Sequence, residues 1–129
     1  MFIDHRYEVL ERLGSGTWAN VFKVRDIRTD KLFTLKLFQY VSSEELYSRF
    51  NAEDMHRITQ LEHPNLNRVV DFGHIADHIY FISEHFDGKP LSRFKFSKSR
   101  INLIYDIAVQ ISYALNALHT QNILHKDLK

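Results

Sequence analysis

A chain of 129 residues that is 44% apolar and 26% charged has the length of one domain and enough hydrophobic material for a core, which excludes a disordered chain. Seventeen Lys and Arg against sixteen Asp and Glu leave a formal charge of +1, so no global field calls for nucleic acid or an anionic membrane as partner. The lack of cysteine excludes a disulfide scaffold, thiolate metal sites and thiol catalysis, and fits a reducing, cytoplasmic setting.

The opening residues Met1 to Arg6 hold no apolar core of signal-peptide length, and export by that route is not expected. From Tyr7 to Leu13, Trp18 to Arg25 and Leu32 to Phe38 the chain reads as three strands, joined by a Gly-rich turn and by the polar turn Thr29-Asp30-Lys31. Three such strands in succession predict a meander. Ser42 or Ser43, followed by Glu44 and Glu45, offers a helix start, and the helix is expected to reach about Leu61 before His63-Pro64-Asn65 ends it. Two more strand-like runs, Asn67 to Phe72 and His78 to Ser83, flank a turn region at Gly73. These elements predict an α+β unit with a five-stranded antiparallel sheet and one helix.

Past Gly88 a short Pro90 to Phe94 segment precedes a helix from about Ser99 to Thr120. That helix is apolar around most of its circumference, with Asn102, Asp106, Gln110, Tyr113 and Asn116 in one polar stripe. It needs cover on several sides, so further chain or another molecule is expected to supply it, and without that cover the chain should self-associate. The polar interruptions argue against a membrane span.

Three places carry candidate chemistry. Gly14-Ser15-Gly16-Thr17-Trp18-Ala19-Asn20-Val21 lies between two strands, where glycines let a backbone approach a phosphate closely or adopt turns that side chains forbid. Because a strand and not a helix follows, neither a dinucleotide-binding βαβ unit nor a P-loop fits. Lys36 sits in the apolar run Phe33 to Phe38, on one face with Thr34 and Phe38, and calls for an anionic partner unless it snorkels to water. On the first helix Leu46, Phe50, Ile58 and Leu61 define an apolar stripe; Asp54 falls roughly 25° from its centre and Glu53 roughly 75°. Asp54 is therefore the preferred partner of Lys36, with Glu53 the alternative. Finally, in His125-Lys126-Asp127-Leu128-Lys129 the carboxylate of Asp127 can accept a proton and Lys129 can neutralise phosphate.

In order and spacing these pieces resemble the eukaryotic-like Ser/Thr protein kinases over Tyr7 to Lys129. Gly14, Gly16 and Val21 match G-x-G-x-x-G-x-V, Lys36 matches the third-strand lysine, and His125 to Lys129 matches H-R-D-L-K. The resemblance implies an N-lobe over 1–83, a hinge over 84–88 and the start of a helical C-lobe over 89–129. It implies that ATP lies beneath Leu13, Val21 and Thr34, with Gly14, Ser15 and Gly16 over the phosphates, which Lys36 holds. Ser83 would be the gatekeeper, and backbone groups of Glu84 and Phe86 would meet adenine. Asp127 would be the catalytic base and Lys129 a contact to the transferred phosphate, with a Ser or Thr of a protein as acceptor.

This chain departs from the family pattern at four positions. Ala19 replaces the third glycine, Thr34 the usual Ala, and Lys126 the usual Arg. Asp54 stands at the helix-glutamate position, one C–C bond or about 1.5 Å shorter. The family's Mg2+ ligands are expected beyond Lys129, so the chain itself is expected to hold no metal and to transfer phosphate negligibly. A second reading is a nucleotide-sensing or scaffolding pseudokinase. A third, in which basic and aromatic residues of Arg93 to Arg100 bind single-stranded nucleic acid, gives way to their place between hinge and helix. The eight histidines form no ligand cluster, His74 and His78 being separated by an expected turn.

Overall fold

Ile3 and Arg6 close the first turn of the chain, the amide of Arg6 donating to the Ile3 carbonyl at 3.2 Å. Asp4 and His5 between them both have positive φ, 52° and 51°, as a type I′ turn requires. That turn folds strand β1 (Phe2–Ile3) back onto β2 (Tyr7–Ser15), and a further bond runs from the Val9 amide to the Met1 carbonyl at 2.9 Å. This computed structural model describes residues 1–39, 51–125 and 128.

The meander continues through β3 (Ala19–Asp26) and β4 (Lys31–Phe38); a helix α1 (Ala52–Gln60) and strands β5 (Val69–Ile75) and β6 (His78–Glu84) follow. The antiparallel sheet has the order β1-β2-β3-β4-β6-β5, which makes six strands where the sequence predicts five. The unexpected member is β1, too short to show a period of two and joined by Asp-His instead of a glycine-containing turn.

Alternation along the central strands separates two faces. Phe22, Leu35 and Ile82 stand in register on one of them, with Val24 and Phe33 beside them, and here the core forms around Ile3, Tyr7, Val24, Leu35, Tyr80 and Ile82. Leu35 and Ile82 are fully buried, each contributing about 1.5–3 kcal/mol of hydrophobic stabilisation. Tyr7 and Tyr80 meet edge to face at 6.1 Å.

At the margin of this core Arg6 grips Asp26, its Nε donating to Oδ1 at 3.1 Å and its Nη2 to Oδ2 at 2.8 Å. Its Nη1 also donates to Oδ2 of Asp71 at 2.9 Å, an oxygen that accepts from the Tyr7 hydroxyl as well. Asp26, fully buried, accepts two further bonds from the Arg28 amide and the Thr29 hydroxyl. The Arg6 guanidinium holds the Asp26 carboxyl down at about 2 against the opposing effect of burial, whereas burial pushes the Tyr7 and Tyr80 phenols up.

Gly73 is not a turn residue. It lies inside β5 opposite Tyr80, and the turn falls later, at Ala76 and Asp77 between the paired Ile75 and His78. Glycine is required by packing, because a Cβ there would run into the ring of Tyr80, which is buried and donates its hydroxyl to Asp4 at 2.6 Å. Gly73→Ala is expected to destabilise the fold by about 1–3 kcal/mol, read as a lowered urea midpoint.

The helix expected from Ser42 or Ser43 is described only from Asn51 onward. Asn51 is extended (φ −71°, ψ 149°) and caps α1, its Oδ1 accepting from the Asp54 amide at 2.7 Å. The helix therefore begins at Ala52; Ser42, Ser43, Leu46 and Phe50 lie outside the described residues. Met55 is its buried residue, and α1 packs on β5.

The chain divides into two compact units, Met1–Leu61 with Arg68–His85, and Glu62–Asn67 with Phe86–Lys129. The second contains two 3-10 turns, Leu91–Arg93 and Lys98–Arg100, and the helix α2 (Ile101–Thr120). Only Ala114 and Leu118 of α2 are buried, while Ile101, Tyr105, Val109 and Tyr113 are at least half exposed. By length and composition Lys98–Thr120 would suffice to cross a membrane. Within this unit the side-chain amide of Asn65 donates to Gln110 at 3.1 Å, which ties His63-Pro64-Asn65 to the polar stripe of α2.

Candidate active site

Between β2 and β3 the Gly-rich segment makes a tight hairpin: Ser15 pairs with Asn20, and the Gly16 amide donates to the Ala19 carbonyl at 2.9 Å. No glycine in it has positive φ, and a Cβ on Gly14 would meet nothing within 4 Å. The hairpin's own backbone thus does not demand glycine. What the missing side chains leave is open space along the strand. Just before it the register shifts between Arg12 and Gly14, so Leu13 lies in a bulge and is 44% exposed.

The face of the sheet opposite the core carries four of the candidate residues of the first unit. Val21 pairs with Lys36 and Lys36 with Phe81; in the next row Thr34 pairs with Ser83. Antiparallel partners share a face, so Val21, Lys36, Thr34 and Ser83 stand together. Although β4 is a central strand, Lys36 is exposed, and its ammonium needs no compensating charge to be tolerated. The Nζ lies 5.0 Å from the centroid of the Phe38 ring, which itself meets Phe81 edge to face at 5.3 Å.

Thr34 is tied to the end of β6. Its hydroxyl is 2.8 Å from Nδ1 of His85, and the Ser83 hydroxyl donates to the Thr34 carbonyl at 3.4 Å. The Glu84 amide is committed to the Arg68 carbonyl at 3.0 Å.

The structure does not bring Asp54 or Glu53 to Lys36. Asp54 is the more inward of the two, 41% exposed against 78%, in the order its helical angle predicts. Its carboxylate, however, accepts from the Asn51 side chain at 2.7 Å and lies 3.7 Å from Arg57, while Glu53 pairs with Arg57 at 2.7 Å.

In the second unit α2 ends in a motif that aims the chain into the last segment. Asn122 takes a positive φ of 57°, its amide donating to His119 at 2.9 Å and that of Ile123 to Leu118 at 3.0 Å. This is a Schellman arrangement with Asn in the place glycine usually takes, and Ile123 and Leu118 are both buried. Asp127, Lys129 and Lys126 lie outside the described residues. Phe86 is described and 66% exposed. Among the described residues no group of three or more His, Asp or Glu is placed to hold a metal ion.

Sequence reasoning passed over His85, though the unusual Thr34 signalled that a hydroxyl there would need a partner. It also passed over Arg6, whose partners lie 20 and 65 residues away and leave no local pattern.

The protein kinase domain model matches residues 7–129. The chain is similar to the serine/threonine-protein kinase PrkC of Bacillus subtilis, 30% identical over 135 residues, covering 98% of this chain and 20% of that protein. It is likewise similar to the serine/threonine-protein kinase pkn3 of Myxococcus xanthus, 31% identical over 132 residues, covering 98% of this chain and 24% of that protein. A probable serine/threonine-protein kinase of Clostridium perfringens is 30% identical over 133 residues, covering 98% of this chain and 19% of its own length. The chain thus spans about a fifth to a quarter of the length of these relatives.

Proposed function

The chain belongs to the protein kinase family, and from that premise we propose that its first unit binds ATP for transfer of the γ-phosphate to a Ser or Thr hydroxyl of a protein. The observation that carries this reading is the common face of Val21, Thr34, Lys36 and Ser83, which sets an exposed ammonium beside three small side chains. A purine can stack on Val21 and Thr34 with Leu13 at its edge, while Lys36 reaches the α and β phosphates and the open backbone of Gly14, Ser15 and Gly16 covers them. Because the Glu84 amide is spent on Arg68, a base contact from Glu84 falls to its carbonyl.

In the transfer itself Asp127 takes the proton from the acceptor hydroxyl as its oxygen bonds to the γ-phosphorus. The bond from phosphorus to the β–γ bridging oxygen breaks, ADP leaves, and Lys129 offsets charge on the moving phosphoryl group. Magnesium, when bound, neutralises β and γ oxygens. Among the described residues no group of three or more His, Asp or Glu stands placed to hold it.

We assign 1–83 to an N-lobe, 84–88 to a hinge and 89–129 to the beginning of a C-lobe whose α2 is a core helix, not a membrane span. The location is cytoplasmic and the partners are ATP and a protein substrate, without nucleic acid or membrane. The exposed apolar surface of α2 leads the 129-residue chain to self-associate. Phosphotransfer by this chain is expected to be negligible, and in the longer protein Asp127→Asn is expected to abolish it. A radiolabelled-ATP assay reads both; turnover by these 129 residues that Asp127→Asn removes would sink the first expectation. The second reading, a nucleotide-sensing or scaffolding pseudokinase, draws on the Arg57 contacts of Glu53 and Asp54. Retained transfer in the longer protein excludes it.

A further inference from the structure

Thr34 presents a difficulty for any base that stacks on it. Its side chain lies on the same face as Lys36, and a β-branched side chain has one stiff torsion with which to place both a methyl and a hydroxyl. A hydroxyl covered by a purine ring and left without a partner is costly, since it exchanges water for nothing. Here it has a partner, the Nδ1 of His85 at 2.8 Å. The contact survives either state of the imidazole, because a hydroxyl can donate to a bare nitrogen or accept from a protonated one.

We infer that His85 is a positioning residue for the nucleotide base: it engages the Thr34 hydroxyl at the margin of the sheet, so that the methyl of Thr34 is what the base meets. The pair lets threonine serve at a position where an apolar side chain would serve unaided. This rests on the ATP-binding reading and adds a coupling between two residues. Two other roles for the imidazole predict different outcomes. If it read the base directly, its loss would weaken binding whatever stands at position 34. If it occupied the base's own place, its loss would tighten binding.

The test is ATP affinity by titration calorimetry on the 129-residue chain and its variants, with thermal melting confirming that each is folded. His85→Ala should weaken ATP roughly tenfold, the cost of one orphaned hydroxyl under the base. Thr34→Val alters the surface under the base itself, so its own affinity is the reference against which the double variant is read. The double variant Thr34→Val with His85→Ala should recover most of the loss, a rescue that a merely structural histidine would not show. Tighter binding by His85→Ala, or no recovery in the double variant, overturns the inference and leaves the ATP reading standing. No measurable affinity in the parent chain overturns both.

Discussion

Arg6→Ala is expected to cost about 3–5 kcal/mol of folding stability, because it strips the charged partner from a fully buried carboxylate. Asp26 would keep the Arg28 amide and the Thr29 hydroxyl, neither of which carries charge. Asp71 would lose its cation as well, though at 38% side-chain exposure it can turn to water. Arg6→Lys keeps the charge but cannot reproduce the fork that engages both oxygens of Asp26, so it should fall between.

The pH dependence follows from the sign of the shift. In the folded chain Asp26 titrates at about 2, below its ordinary 3.8, so its contribution is complete above pH 3.8 and is lost as pH falls through 2. In Arg6→Ala the remaining burial favours the neutral acid, so the proton release that accompanies folding of the parent between pH 2 and 3.8 is diminished or reversed. Urea melts at pH 7 and pH 3 should therefore show a large gap between parent and variant at pH 7 and a smaller one at pH 3. A pH 7 difference under 1 kcal/mol would show that Arg6 is dispensable to the core.

Legibility in the sequence followed the range of the interactions. The central strands and their two faces could be read because alternation is local: Leu35 and Leu37 against Thr34 and Lys36 is a pattern within four residues. The relative inwardness of Asp54 and Glu53 was legible for the same reason, being a matter of helical angle. Pairings between distant residues were not. Arg6 meets Asp71 across 65 positions, and Gly73 is glycine because of Tyr80, a reason that sequence cannot separate from a turn. Strand β1 escaped because two residues have no period and its turn used Asp and His at positive φ, where asparagine and glycine are the usual signal. The acid partner of Lys36 shows a different gap. Its geometry depends on where a helix docks, and here Asn51 and Arg57 hold Asp54 instead.

Lys36→Met is expected to lower ATP affinity roughly 10- to 100-fold, the loss of one charged hydrogen-bonded contact worth about 1.5–3 kcal/mol. The fold should barely register the change. Lys36 is exposed, makes no ion pair among the described residues, and has a ring contact to Phe38 worth about 0.5–1 kcal/mol at an exposed site. Methionine fills a similar volume on the strand, so affinity and stability should part company, which a residue serving only the sheet could not bring about. Lys36→Arg retains the charge and should keep more of the affinity than methionine, because the contact is principally electrostatic. AMP, which lacks the β and γ phosphates, should discriminate far less between parent and Lys36→Met than ATP does. Equal losses for the two nucleotides would move Lys36 away from the phosphates and undo its assignment there.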